Sequence, residues 1–131
     1  MKQSTFQFRK PVLEKFVFGT NLEYNSEKFD GMEFNATTHV ERSKEKNEAI
    51  VKLNVKIGNK ENAPFFIDVV MSSDFLWDDD NENVDIMLKS NAPSMLLSYI
   101  RPLVANITSN SEYPELDIPF MDFTNNAVEE K

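Results

Sequence analysis

The stretch Glu48–Ile57 reads EAIVKLNVKI, and from Val51 onward its apolar side chains alternate with polar ones. Successive side chains of a β-strand point to opposite faces of a sheet, so this period of two predicts a strand with one dry face and one wet face. Lys52 and Lys56 belong to the wet face. The stretch therefore predicts an antiparallel sheet whose core lies on one side.

Two further segments extend this sheet. Met32–Glu41 alternates in the same way, whereas Phe65–Met71 is apolar on both parities except at Asp68, which indicates a strand covered on both faces. The connections 42–47 and 58–63 are short and polar. We therefore expect these three strands to form a meander of hairpins.

The N-terminal segment Thr5–Tyr24 is long for one strand. Its phenylalanines at 6, 8, 16 and 18 alternate with polar or smaller residues, which again indicates a strand. Pro11 cannot donate a ladder hydrogen bond, so we expect an edge strand or a bulge there. The connection 21–30 is longer than a turn and predicts a crossover to the next strand.

Helical spacing begins after an acidic loop at 78–83. One apolar stripe follows the spacing of a helix: Leu96, Tyr99, Ile100, Leu103, Val104 and Ile107. Pro93 suits a first turn, whereas Pro102 removes an interior hydrogen bond, so we expect either a kink near 98–102 or two short helices. The predicted fold class is α+β: a four-stranded antiparallel sheet, with a crossover after the first strand, packed on a long helix. We expect residues 1–131 to form a single domain.

Composition excludes several classes of protein. The chain has 131 residues, a net charge of −8 and no cysteine, so it has no disulfide framework, thiol nucleophile or cysteine-based zinc site. Its negative field disfavours nucleic acid and anionic membranes. The sequence shows neither a signal segment nor an apolar run of membrane length. We therefore expect a cytoplasmic protein that binds neither nucleic acid nor membrane.

Two features invite a catalytic or metal-binding interpretation. The acidic run Asp78–Asn83 offers oxygen ligands of the kind that Ca²⁺ prefers, but a calcium loop counted from Asp78 would need glycine at Asn83 and glutamate at Lys89. His39 is the only histidine, and no nucleophile motif accompanies it. We predict a protein that is not an enzyme and has no metal site and no cofactor.

Eleven phenylalanines are many for one sheet and one helix. A single helix leaves part of a sheet face uncovered, which predicts either an oligomer interface or an apolar groove for a ligand. One alternative is a small intracellular carrier of an apolar ligand. A closed carrier barrel needs about eight strands, however, and the sequence shows four strand patterns.

Two stretches in the last third of the chain are more specific. Residues 91–101 read NAPSMLLSYIR, and residues 113–123 read YPELDIPFMDF. Together with TFQF at 5–8 and FIDV at 66–69, they resemble the bacterial export chaperone SecB. In that family a helix begins with a small residue and proline before an apolar pair and Tyr-Ala-Arg, and the core closes on a Pro-x-Leu-x-Leu-x-Pro run. The resemblance covers residues 5–123.

The resemblance implies an ATP-independent holdase that binds unfolded or precursor polypeptides, either in protein export or alongside a toxin–antitoxin pair. It implies a homo-oligomer, a dimer of dimers, with Leu96, Tyr99 and Leu103 on the interface helix. Clients would lie in apolar grooves formed by the sheet, the crossover and the end of the chain. The candidate client-binding residues are Phe16, Phe18, Phe29, Phe75, Trp77, Phe120 and Phe123.

The resemblance also implies a docking patch for the motor protein SecA, of which Phe66 and Asp68 remain. The two acidic positions of the first strand correspond to Lys15 and Gly19. Like charges across an interface can cost several kcal/mol, so we expect SecA to bind weakly or not at all.

The end of the chain departs from the family in two more ways. Pro102 replaces a residue that is not proline in the family, so the assembly of the interface helix is expected to change. Only the polar residues 124–131 follow Phe123, where the family has a further helix. We expect these residues to form a frayed tail.

Overall fold

The computed structural model describes residues 6–27, 29, 31–123 and 128–130. Its strands are β1 (Phe6–Phe8), β2 (Val12–Thr20), β3 (Phe34–Arg42), β4 (Glu48–Gly58), β5 (Phe65–Trp77) and β6 (Val128–Glu130). Its helical elements are α1 (Val84–Ile86), a π-helical turn (Met87–Asn91) and α2 (Ala92–Ser109).

The strands form one sheet in which β1 and β2 lie end to end along β5, followed by β4, β3 and β6. The described pairings are antiparallel except that of β6 with β3. The chain leaves β2 at one edge and returns as β3 beyond β5 and β4, so the connection between them is a crossover loop. The predicted fold class is confirmed: an antiparallel meander with a crossover after the first strand, packed on a helix.

The N-terminal strand is both an edge and irregular, as Pro11 predicts. Pro11 separates β1 from β2, and the register of β2 on β5 shifts between Leu13 and Lys15. Strand β5 is longer than the sequence pattern indicates, because β1 and the start of β4 continue the ladder along it to Trp77. Trp77 therefore lies on a strand that extends six residues beyond the end predicted at Met71.

The inner face of the sheet carries the core. The apolar positions of the β4 alternation are all fully buried: Val51, Leu53, Val55 and Ile57. Helix α2 lies across this face and adds a second buried row: Leu96, Ile100 and Val104. Each such side chain contributes about 1.5–3 kcal/mol when fully buried. The alternation in β4 thus decides which face of the sheet the helix covers.

The helical region accommodates both prolines. In the π-helical turn the Ala92 N–H donates to the Met87 carbonyl, one residue further back than in an α-helix. This wider turn directly precedes Pro93, which has no N–H to donate. Helix α2 then runs uninterrupted through Pro102, so the alternative of two short helices is wrong. Pro102 is exposed, and water can hydrogen-bond the carbonyl that it leaves unpaired.

The tail predicted over 124–131 lies largely outside the described residues. Of that segment the structure describes Val128–Glu130, which form β6 and pair in parallel with Thr38–Val40 of β3. Three residues are too few to show a period of two, so the sequence pattern does not reveal this strand.

Thr38 provides a test of the core. It lies on the inner face of β3, is buried, and its hydroxyl has no hydrogen-bond partner among the described residues. Thr38→Val removes this desolvated hydroxyl and keeps the branched shape, so we expect the free energy of unfolding to rise by about 1–2 kcal/mol in urea denaturation. The control is Thr37→Val on the exposed side of the same strand, which should change stability little. A less stable Thr38→Val protein would contradict this account of the core.

Candidate functional site

Helix α2 carries more apolar surface than the sheet covers. Beside the row buried against the sheet lies a second row, Tyr99, Leu103 and Ile107, which is exposed or partly exposed. The spacing of four residues keeps these side chains on one side of the helix. The single stripe predicted from the sequence is therefore two rows with different surroundings.

A closing segment, residues 111–123, covers one flank of α2. The Leu116 N–H donates to Thr108 Oγ1 at 2.8 Å, and Arg101 Nε donates to the Ile118 carbonyl at 2.9 Å. Two side chains of the segment itself, Ile118 and Phe123, are buried. These contacts hold an extended stretch, without helix or strand of its own, firmly against the helix.

Phe120 lies on the outside of this closing segment. It is 89% exposed, and the Arg101 guanidinium lies 4.7 Å from the centroid of its ring. A depression of about 60 Å³ beside the ring is lined in part by Leu97 and Met121. We call these residues the Phe120 site. A cation–π contact at such an exposed position is worth about 0.5–1 kcal/mol, enough to bias the ring toward one orientation while it remains accessible.

The other flank of α2 is open toward the edge strand β2. A groove of about 430 Å³ lies between them, with Val12, Leu13, Met71, Tyr99 and Leu103 among the residues that line it. Within the described part of the chain β2 pairs with β5 alone, so its other backbone edge is unpaired. We call this feature the β2–α2 groove. An apolar groove beside an unpaired strand edge is a surface that suits another polypeptide chain.

A cluster of aromatic rings lies where β2 ends and β5 begins. The Phe65 ring is 5.6 Å from the ring of Phe18 and 5.6 Å from that of Tyr113. In the crossover loop, Phe29 meets Tyr24 edge to face at 6.3 Å. Partial burial raises the pKa of Tyr113, and the hydrogen bond and charge of Glu112 together with Tyr24 raise it further. We call these five aromatic residues the crossover cluster.

A second group of rings lies at the far end of β5. Phe6 stacks on Phe75 at 5.4 Å and on Trp77 at 6.4 Å, and the Arg42 guanidinium lies 5.6 Å from the Trp77 ring. Strand β5 has 13 residues, which corresponds to about 40 Å at the rise of a strand. Phe75 and Trp77 therefore do not share one groove with the crossover cluster.

The structure thus separates the seven predicted client-binding residues. Phe75 and Phe123 are 1% and 2% exposed, so neither offers surface to a client. Phe16 is partly buried against the core on the inner face of β2. Phe18 and Phe29 belong to the crossover cluster, Trp77 to the far end of β5, and Phe120 to its own site.

The predicted interface helix divides in a similar way. Tyr99 and Leu103 line the β2–α2 groove, but Leu96 is fully buried against the sheet. The sequence pattern missed Val12 and Leu13 as members of this surface. Two consecutive apolar residues on an edge strand that begins after a proline were the available signal, since one of them must face away from the core.

The outer face of the sheet, turned away from α2, carries a structured polar cluster. Lys15 Nζ donates to Asp68 at 2.8 Å, and Asn54 Nδ2 donates to the same carboxylate at 2.7 Å. Although partial burial raises the pKa of Asp68, these hydrogen bonds and the charges of Lys15 and Lys56 hold it below its usual value. Asp68, the predicted acidic remnant of the SecA patch, is therefore already paired with a cation.

Phe66 lies beside Asp68 on this outer face, and its ring likewise contacts neighbouring residues. A Cβ atom on Gly19, its neighbour across the β2–β5 ladder, would meet the Phe66 ring at 2.5 Å. The Lys60 ammonium lies 5.1 Å from the centroid of the same ring. Gly19 thus allows the ring to lie flat on the sheet, where an acidic side chain would displace it.

The described part of the chain also bears on metal binding and on membrane insertion. There, no group of three or more His, Cys, Asp or Glu side chains is placed to hold a metal ion. None of the described helices is long and apolar enough to cross a membrane.

The sheet is open, with β1 and β2 along one edge and β3 carrying β6 along the other. The closed barrel of the alternative interpretation, a carrier of an apolar ligand, is therefore wrong. An open sheet crossed by one helix, with apolar surface on both flanks of that helix, is suited to binding other polypeptide chains.

Comparison with known protein families identifies the family of this chain. The chain matches the family model of the preprotein translocase subunit SecB over residues 21–127. The chain belongs to the SecB family, and the resemblance described from its sequence is confirmed. Membership of this family supports a chaperone role. Sequence comparison with curated proteins gave no match.

Two solved structures share the fold. A SecB-like chaperone from Mycobacterium tuberculosis, in complex with a peptide from an antitoxin, matches with a TM-score of 0.69 and 13% identity over 90% of this chain and 88% of that one. A protein of unknown function from Streptococcus agalactiae matches with a TM-score of 0.59 and 16% identity over 91% and 100% of the two chains.

The lowered pKa of Asp68 predicts how the stability of the protein changes with pH. Because the pKa of Asp68 is lower in the folded protein, the ionised carboxylate stabilises the fold at pH values above its unfolded-state pKa of about 3.9. This contribution is lost as the pH falls through the lower, folded-state pKa. We expect Asp68→Asn to be less stable than the wild type by under about 1 kcal/mol near neutral pH. Urea unfolding should show this difference closing below about pH 4. The variant Lys15→Gln should weaken the same pH dependence, and a difference that persists unchanged at low pH would contradict the role of the ion pair.

Proposed function

We propose that this protein is an ATP-independent holdase that binds unfolded or precursor polypeptides on the α2 side of its sheet. The observation that carries this proposal is Phe120, a ring that is 89% exposed and held beside an apolar depression. Membership of the SecB family supports the same function. Catalysis, metal and nucleotide have no part in it.

The chemistry of this site suits clients of many sequences. Burial of apolar surface is non-directional, and methionine beside an aromatic ring adapts to different shapes. Tyr113 of the crossover cluster and Phe120 lie on the same closing segment, at most about 23 Å apart along an extended chain. An extended client segment of moderate length could therefore contact both. The net charge of −8 would keep a protein with exposed rings soluble.

The partner pathway is also a proposal. The match from Mycobacterium tuberculosis was solved with an antitoxin peptide, which supports polypeptide clients and favours a toxin–antitoxin partner. SecA is disfavoured because Lys15 lies on Asp68 and Lys60 lies on Phe66. A role in export and a cytoplasmic location stay predictions from the resemblance.

We further propose that a second copy of this chain covers the β2–α2 groove. The groove joins an unpaired strand edge to the second apolar row of α2, so a second copy could satisfy backbone hydrogen bonds and bury apolar side chains together. Tyr99 and Leu103 would lie in this interface. A dimer formed in this way is the first step toward the dimer of dimers that the resemblance implies.

Aggregation assays test the holdase. Wild-type protein should slow the aggregation of several chemically denatured clients at stoichiometric ratios. Phe120→Ser should bind clients about tenfold more weakly, since burying a phenylalanine is worth about 1.5–3 kcal/mol. Ile86→Ser, which removes an exposed apolar side chain of α1, is the matched control and should protect like the wild type. Absence of protection by the wild type across unrelated clients would overturn the proposed function.

Light scattering tests the assembly. We expect the wild type to be a dimer or tetramer at micromolar concentration, and Tyr99→Glu together with Leu103→Glu to shift it to a monomer, because charges in an apolar interface are strongly unfavourable. Ile86→Glu is the control for an added charge on an exposed helical position. Circular dichroism checks that the variants remain folded. A monomeric wild type, or a double variant that keeps its mass, would refute the interface.

A further inference from the structure

The outer face of the sheet contains a depression that the proposed client and dimer surfaces leave unused. It measures about 330 Å³ and lies between the ends of β2, β4 and β5. Lys15, Lys56 and Lys60 line it together with a single acidic side chain, Asp68. Three lysines against one aspartate leave a net charge of +2 at this place, in a chain whose overall charge is −8. We call these three lysines the lysine patch.

The patch has an apolar floor. The Phe66 ring lies on Gly19, so that no side chain from β2 covers this part of the face, and Lys60 Nζ lies 5.1 Å from the ring centroid. Val17, also exposed on β2, extends the floor at its edge. Cations placed around a half-buried aromatic ring form a surface that offers both charge pairing and apolar contact.

We propose that the lysine patch binds an acidic segment of a partner protein. Carboxylates of the partner would pair with Lys56 and Lys60, and an apolar side chain between them would lie on Phe66. Lys15 is half exposed in its ion pair with Asp68, so it can also turn toward an incoming carboxylate. The interaction does not depend on the holdase function, because it uses the opposite face of the sheet.

The size of the patch favours a peptide over a nucleic acid. Proteins that hold DNA through its backbone make about 6–10 phosphate contacts, and three lysines cannot supply them. Over longer distances the charge of −8 repels a polyanion, whereas a short segment with two or three carboxylates senses mainly the charges within a Debye length of about 8 Å.

Fluorescence anisotropy tests the proposal on the full chain. The probe is a labelled peptide in which glutamates flank a central phenylalanine, and the comparison peptides carry glutamine or lysine in place of glutamate. We expect the acidic peptide to bind, the other two to bind at least about tenfold more weakly, and binding to weaken as salt is added. The charge-reversed protein Lys56→Glu with Lys60→Glu should lose binding of the acidic peptide.

The matched control reverses two other lysines. Lys44→Glu with Lys46→Glu makes the same change in net charge on the exposed β3–β4 turn, at the other end of an 11-residue strand. This protein should keep its affinity for the acidic peptide, and both double variants should still protect clients from aggregation. The proposal is overturned if the glutamine peptide binds equally well, or if both double variants lose binding to the same extent. It is also overturned if single-stranded DNA binds the patch more tightly than the acidic peptide does.

Discussion

The architecture depends on a mismatch between one helix and one sheet. The inner face of the sheet buries a single apolar row of α2, yet the helix carries a second row that includes Tyr99 and Leu103. The closing segment covers only the opposite flank, where Phe123 is buried and Phe120 is not. Apolar surface is worth about 25 cal/mol per Å² when it is removed from water, so both flanks favour contact with further chains. On our proposal one flank receives a second copy and the other receives clients.

The two faces of the sheet differ in chemistry because β4 alternates apolar with polar residues and Asp68 interrupts the outer side of β5. Each residue that points into the core is followed by one that points to the outer face, where Asp68 pairs with Lys15 and Lys60 lies over Phe66. Binding on the α2 side would rely on desolvation, and binding on the outer face on charge. Salt would therefore weaken the second and leave the first largely unchanged. If both proposals hold, this separation would allow one small protein to hold two unlike partners at once.

Alternation and helical spacing were sufficient to predict the fold, because burial on one face leaves a periodic record in the sequence. The strands of the meander follow from that record. The crossover follows from the length of the connection 21–30, and the irregularity at Pro11 follows from the N–H that proline lacks. The end of β5 and strand β6 could not be predicted, because they depend on pairing with β1 and β3 rather than on their own residues. The candidate site was harder to predict. Nothing local distinguishes Phe120, which is exposed, from Phe123, which is buried three residues later, since the path of the closing segment over α2 decides both.

Site-specific photocrosslinking is the most direct test of where clients bind. A photoreactive phenylalanine analogue would replace Phe120 in one protein, Ile86 in a second and Lys56 in a third, and each would be irradiated with an unfolded client. The account predicts strong crosslinks from position 120 and few from positions 86 and 56, because clients lie on the α2 side of the sheet. Crosslinks of equal strength from all three positions, or crosslinks mainly from position 56, would contradict it.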